Sequence, residues 1–326
     1  MLKTCHRIVI VTLVLLAVVA SPHLARAQSK FVKTTVAYRE VDGHKVLADV
    51  YRPDDREVRP VIVWIHGGAL IMGHRESVMD QIRTLAEQQG FALVSLDYRL
   101  APETKLPDII SDIETAFQWI AQAGAKQYRL DPQRIVVCGG SAGGYLTLVT
   151  GYRVQPQPVA LVAFWGYGDL TGDWYSQPSP HPRHNPRVIT REEALAQTDG
   201  TVISDARRRR GNGALLYLYY RQHGAWPAEV SGFDPITEAD KFAPFEPIRN
   251  VTGDYPPTFL IHGTRDTDVP FDQSRMMAHQ LAQHGVPHVL SAIEDGEHGL
   301  AGGNPRQIKE GYKAMREFIV RHLEDR

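Results

Sequence analysis

One stretch restricts this chain more than any other. Ile135-Val136-Val137-Cys138 is an apolar run of strand type, it ends in Gly139-Gly140-Ser141-Ala142-Gly143-Gly144, and a helix-type pattern, Tyr145 to Val149, follows at once. A strand that turns sharply into a helix strains the backbone of the residue at the turn, and flanking side chains would collide there. Gly139, Ala142 and Gly143 are the small residues such a turn demands, and Gly144 leaves room for the helix against the sheet. The spacing Gly139-x-Ser141-x-Gly143 is G-x-S-x-G, the nucleophile elbow. A glycine-rich turn whose serine only caps the helix would read the same way locally, so the rest of the chain has to decide.

Around the elbow, strands and helices alternate. A hairpin is predicted over 36–41 and 46–51, with Asp42-Gly43 at its turn, after a loose start at 28–35. Pro60-Val61-Ile62-Val63-Trp64-Ile65 and Phe91-Ala92-Leu93-Val94-Ser95-Leu96 are continuous apolar runs, the pattern of strands buried on both faces. Further strands are expected at Pro158 to Trp165, Thr258 to Ile261 and Val289 to Ile293, and helices at 76–89, 108–123, 271–284 and 306–323. Such alternation predicts an α/β fold: a mainly parallel central sheet with helices on both faces.

The alternation fails between Gly166 and about Tyr255. Prolines 178, 180, 182 and 186 crowd one loop, helical pieces fit 190–197 and 203–222, and aromatics gather: Trp165, Tyr167, Trp174, Tyr175, Tyr217, Tyr219, Tyr220 and Trp226. A long insertion at the functional edge of a sheet reads as a cap or lid over a pocket. The competing reading is a solvent-covering excursion with a small core of its own. Arg207-Arg208-Arg209-Arg210, inside it, reads as a solvated basic face.

The first residues carry a different pattern. Lys3 and Arg7 precede an apolar run from Ile8 to Ala20, and Ala25-Arg26-Ala27 follows. This is the pattern of a secretory signal peptide cleaved near Ala27, leaving 28–326 as an exported, periplasmic or secreted domain. The run is short for a membrane span of about 20 residues, so a retained anchor is the weaker reading. Loss of 1–27, which holds Lys3, Arg7 and Arg26 and no acid, takes the formal net charge from −1 to −4, no footprint for nucleic acid. Of the two cysteines, Cys5 would leave with the signal and Cys138 lies on the elbow strand, where a buried inert thiol is expected.

A serine hydroxyl needs a general base, and the base needs an orienting carboxylate. Asp266 and His298 both follow late strands, five residues beyond Ile261 and Ile293 respectively. The chain order Ser141, Asp266, His298 is that of an α/β-hydrolase triad. In this reading Ser141 attacks, His298 moves the proton and Asp266 fixes the imidazole. Asp268 is the alternative acid, set aside because it suits the Val269-Pro270 turn; Glu294 and Asp295 precede His298 too closely. His66 and His262 also end strands but directly precede glycine, and read as structural groups bonding loop backbone. An oxyanion hole is expected from the N–H groups of Ala142, Gly67 and Gly68. No histidine spacing suggests a metal site.

His66-Gly67-Gly68, Asp97-Tyr98-Arg99-Leu100-Ala101-Pro102-Glu103, Gly139-Gly140-Ser141-Ala142-Gly143-Gly144, Asp266 and His298 together resemble the hormone-sensitive-lipase-like branch of α/β-hydrolase serine esterases. The bacterial feruloyl and acetyl-xylan esterase group is similar too. The resemblance implies the α/β-hydrolase fold, with the insertion at 166–255 before the catalytic acid, and carboxylic-ester hydrolysis without a cofactor. The substrate would be a small or medium ester, an acylated carbohydrate among the candidates. Two departures stand out: Ala69 replaces a third glycine found in many members, and the N-terminal cap of many such lipases is absent. Asp97 to Glu103 reads as structural, with Arg99 pairing Asp97 or Asp112. Two other classes compete: a prolyl-peptidase-like peptide hydrolase, and a non-catalytic binding protein on the same fold.

Overall fold

The computed structural model describes residues 30–324; the segment 1–27, expected from its sequence to be a signal peptide, lies outside the described residues. Eight strands form one sheet in the order β1-β2-β4-β3-β5-β6-β7-β8. These are β1 (Phe31–Val41), β2 (His44–Pro53), β3 (Arg59–Ile65), β4 (Ala92–Leu96), β5 (Leu130–Gly140), β6 (Ala160–Phe164), β7 (Thr258–Gly263) and β8 (His288–Ile293). β1 and β2 pair antiparallel, β2 pairs antiparallel with β4, and every other pairing is parallel. The expected loose start is instead strand: β1 opens with Phe31 opposite Pro53. An edge strand has one neighbour and one wet face, so Lys33, Thr34 and Thr35 leave no apolar run to read.

The buried strands split their side chains between two cores, as a period of two requires. Val61, Val63 and Ile65 of β3 enter one, Ile62 and Trp64 the other. The first core is covered by α2 (Leu106–Trp119), α4 (Ala142–Arg153) and α9 (Asp272–Gln283); the second by α1 (Asp80–Gln89) and α10 (Pro305–Glu324). The expected helix 108–123 is α2 followed by a π-helical turn, Ile120–Gly124, and by α3 (Ala125–Tyr128). Cys138 lies in the second core, and burial alone pushes its thiol far up.

Residues 166–255 hold α5 (Asp173–Ser176), α6 (Arg191–Leu195), α7 (Ala214–His223), α8 (Trp226–Ser231) and several 3₁₀ turns. Its aromatics stack on one another: Tyr175 lies 4.0 Å from Trp226 and 4.0 Å from Trp174. Tyr167 stacks on Tyr145 of α4 at 5.0 Å. Tyr167, Tyr175, Tyr220 and Trp226 are all buried. They join the insertion to the first core and are not offered to a ligand. Among the described residues no helix is long and apolar enough to cross a membrane.

Candidate active site

β5 delivers Ser141 to the elbow with φ 57° and ψ −121°. The cost of such a conformation, about 1–3 kcal/mol, is tolerated only where surroundings over-determine it. Here they do. A Cβ on Gly143 would fall on the Ile65 carbonyl oxygen, and one on Gly139 on the Gly143 carbonyl. The Ser141 N–H donates to Phe164 O at the end of β6, 2.9 Å away. Sheet, helix and turn meet without side chains between them, which is why these positions are glycine.

The loop after β3 lies against the elbow. A Cβ on Gly67 would come 2.7 Å from Gly140 O and 3.3 Å from the Ser141 Cβ. Gly68, Ala69 and Leu70 have φ of 108°, 56° and 61°, so the backbone reverses over three residues, two of them not glycine. The carbonyls that follow are each held: Ala69 O by Trp226 Nε1 (2.9 Å), Leu70 O by Ala101 N (2.8 Å) and Ile71 O by Arg209 Nη1 (2.7 Å). The N–H groups of Gly67, Gly68 and Ala142 donate to no other group among the described residues. His66 is buried, stacks on Tyr98 at 4.3 Å, and has Nδ1 2.8 Å from Gly67 O. Burial pushes its imidazole down to about 4, so it is neutral at ordinary pH.

His298 begins a 3₁₀ turn just after β8. Its Nδ1 lies 2.8 Å from Asp266 Oδ2. An ionised carboxylate only accepts, so Nδ1 carries the proton and Nε2 keeps its lone pair. Asp266 Oδ1 accepts from the N–H groups of Asp268 and Val269, both at 2.9 Å. His262 adds a further contact to Oδ2, with Nε2 at 3.2 Å; the same atom is 2.9 Å from Val269 O, and Nδ1 is 2.7 Å from Ser274 Oγ. Burial works against the Asp266 charge, but the hydrogen bonds of His262 and His298 outweigh it and hold the carboxyl down at about 2. Ser141 Oγ takes part in no hydrogen bond among the described residues. Trp165 stands between the two halves: its Nε1 would lie 3.3 Å from a Cβ on Gly140, and its ring meets that of His298 edge-on at 6.2 Å.

Sequence reasoning missed several neighbours. Asp268, weighed only as an alternative acid, does not touch Nδ1; its Oδ2 lies 3.7 Å from His298 Nε2. Its Oδ1 is 2.8 Å from His184 Nε2 and accepts from Tyr217 Oη at 2.5 Å, and its backbone oxygen accepts from Arg221 Nη1 at 3.1 Å. All three partners belong to the insertion. Arg209 departs from the solvated basic face expected of residues 207–210: it is buried, pairs with Glu103 and holds the glycine loop. Arg99 pairs with Asp112 at 2.9 Å, while Asp97 is taken by Arg75 at 2.8 Å. Only the Arg-rich run could have pointed to Arg209; nothing in the sequence marks His184 or Tyr217. Among the described residues no group of His, Cys, Asp or Glu is placed to hold a metal ion.

Residues 62–302 match the family described as the alpha/beta hydrolase fold, and the chain belongs to that family. A protein of unknown function from Staphylococcus aureus subsp. aureus Mu50 shares the fold with a TM-score of 0.70 at 23% identity, over 90% of this chain and 99% of that one. A truncated carbohydrate esterase from gut microbiota does so with a TM-score of 0.64 at 20% identity, over 91% and 97%. Among curated relatives, the non-reducing polyketide synthase pkbA of Emericella nidulans is 26% identical over 365 residues, covering 92% of this chain. The chain spans 14% of the length of that relative.

Proposed function

We propose that this chain is a serine carboxylesterase. Ser141 Oγ attacks the ester carbonyl, and His298 Nε2 takes its proton and returns it to the leaving alcohol. Asp266 keeps the imidazole in the Nδ1–H tautomer and stabilises the imidazolium. The N–H groups of Gly67, Gly68 and Ala142 receive the oxyanion, a contribution of about 3–4 kcal/mol per donor. Water then releases the acyl group by the same steps in reverse.

One observation carries this reading. A serine held at φ 57° faces a loop of unengaged N–H groups, on the same sheet edge as an imidazole whose Nδ1 is committed to a buried carboxylate. The family membership and the carbohydrate esterase of like fold agree with it. The test is hydrolysis of p-nitrophenyl butyrate together with labelling by a fluorophosphonate. Ser141→Ala should abolish both; a variant that keeps either the turnover or the label overturns the proposal. The signal-peptide reading adds that the enzyme acts outside the cytoplasm, and N-terminal sequencing of the exported protein should begin near Gln28.

A further inference from the structure

Asp268 is a second carboxylate beside the imidazole, and its two oxygens have different surroundings. Oδ1 is saturated by the insertion, with His184 Nε2 at 2.8 Å and Tyr217 Oη at 2.5 Å. His184 is itself fixed, its Nδ1 lying 2.7 Å from Ser179 Oγ. Oδ2 takes no hydrogen bond among the described residues; it lies 3.7 Å from His298 Nε2, too far to bond it. The side chain keeps 14% of its surface open. Burial opposes its charge, but the His184 hydrogen bond, the nearby His298, Tyr217 and Arg221 outweigh that and hold the carboxyl well below the usual range. An ionised oxygen with spare acceptor capacity therefore stands beside the ring atom that hands a proton to the leaving alcohol.

We propose that Asp268 Oδ2 accepts a hydrogen bond from a hydroxyl on the carbon next to the ester-bearing carbon of the alcohol part, so that the site selects esters of vicinal diols. The inference rests on the esterase reading above. The leaving oxygen must come within hydrogen-bond reach of Nε2. The next oxygen of a vicinal diol then lies beside it, and the 3.7 Å between Nε2 and Oδ2 is a gap that two neighbouring oxygens bridge, one on each atom. Oδ1 cannot serve, since both its donors come from the insertion. Sugars and glycerol carry this diol chemistry. Simple alkyl alcohols lack the donor, and a methyl ether offers only a lone pair to an atom that can only accept.

The test uses three butyrates of the intact enzyme's reaction: 2-hydroxyethyl, 2-methoxyethyl and n-propyl. Wild type should favour the hydroxyethyl ester over the methoxyethyl ester in kcat/KM by on the order of ten-fold, as a charge-assisted hydrogen bond would give. In Asp268→Asn an amide N–H₂ can take the Oδ2 place beside His298 while its carbonyl keeps His184 and Tyr217, so the preference should fall by about the same factor or invert. A charge acting only through His298 would change all three esters alike. If the variant does not fold, the wild-type ranking decides. Equal kcat/KM for the three esters, with p-nitrophenyl butyrate turned over, overturns the inference and leaves the esterase reading standing. No turnover of any of them overturns both. Glycerol monobutyrate and a methyl xyloside monoacetate, run in parallel, separate the two natural sources: the faster one names the polyol.

Discussion

The sharpest test of the site is Asp266→Asn. Asp266 accepts from three N–H groups, two from the backbone of Asp268 and Val269 on Oδ1 and that of His298 on Oδ2, and His262 Nε2 stands 3.2 Å from Oδ2. Asparagine offers one carbonyl oxygen and one N–H₂. The backbone donors cannot turn away, so the amide oxygen must take the Oδ1 place and the N–H₂ the Oδ2 place. It then points two hydrogens at ring nitrogens 2.8 and 3.2 Å away. His298 escapes the conflict by moving its proton to Nε2, which removes the lone pair that should accept from Ser141. In a triad this error costs about 10⁴-fold, or about 5 kcal/mol of transition-state stabilisation. The assay is kcat/KM on p-nitrophenyl butyrate at neutral pH, with the urea midpoint as a check that the fold survives. Asp268→Asn is the control, since it leaves Nδ1 and its acceptor in place. A loss below about 100-fold for Asp266→Asn, or a larger loss for Asp268→Asn, would refute the assignment of Asp266 as orienting acid.

Other consequences follow from the same contacts. The Asp266 carboxyl is held at about 2 against an ordinary value of 3.8, so its contribution to stability, about 2 kcal/mol, is present above pH 4 and lost as pH falls through 2. The gap in urea midpoint between wild type and Asp266→Asn should therefore narrow between pH 4 and 2. Asp97, which burial pushes up to about 6, acts in the opposite sense above that window and is common to both proteins. Trp226→Phe keeps the stacked ring but leaves Ala69 O, inside a buried and strained loop, without its donor. It should cost about 1–3 kcal/mol in the urea midpoint and lower kcat more than it raises KM. Gly143→Ala should fail to give active folded protein, because its Cβ would fall on the Ile65 carbonyl; refolding yield and circular dichroism check this. Cys138 should stay unmodified by iodoacetamide in native protein and react once urea unfolds it, since the thiol is buried and its ionisation suppressed.

What could be read in advance was whatever rests on local pattern. Continuous apolar runs located β3, β4, β6 and β7 because a strand buried on both faces has no polar position to disguise it. The elbow was legible because its glycines are demanded by contacts within a few residues and with the two strands beside it, β3 and β6. β1 was less so: its two solvent-side threonines and Lys33 carry no periodicity, and only pairing with β2 makes them strand. Asp266 and Asp268 differ in sequence only by turn position, and the fold adds what the sequence cannot, since each carboxylate faces a different nitrogen of one ring. The partners of Asp268 lie 47 to 84 residues away, in a segment without periodicity. Long-range polar contacts of that kind leave no trace in local composition.

That segment also bears on how the site works. The insertion grips the sheet edge that carries Ser141, Asp266 and His298 at two separate points. Trp226 and Arg209 hold successive carbonyls of the glycine loop, and His184, Tyr217 and Arg221 hold the turn that carries Asp268. Arg221 also lies over Tyr175 at 4.9 Å, tying the second grip to the stacked aromatic core. A lid that swings open as a body would have to break the buried Arg209–Glu103 pair, strip the donors from a loop with two non-glycine residues at positive φ, and leave Asp268 unpartnered. Each of those losses costs about 1–3 kcal/mol or more, and they would fall together. The insertion is therefore better understood as part of the site's wall than as a gate. It supports the glycine loop after β3 from one side and orients Asp268 from the other, so choice of substrate should follow from a fixed shape. If the proposed esterase activity is right, the rate should show no jump when the ester passes from solution to emulsion.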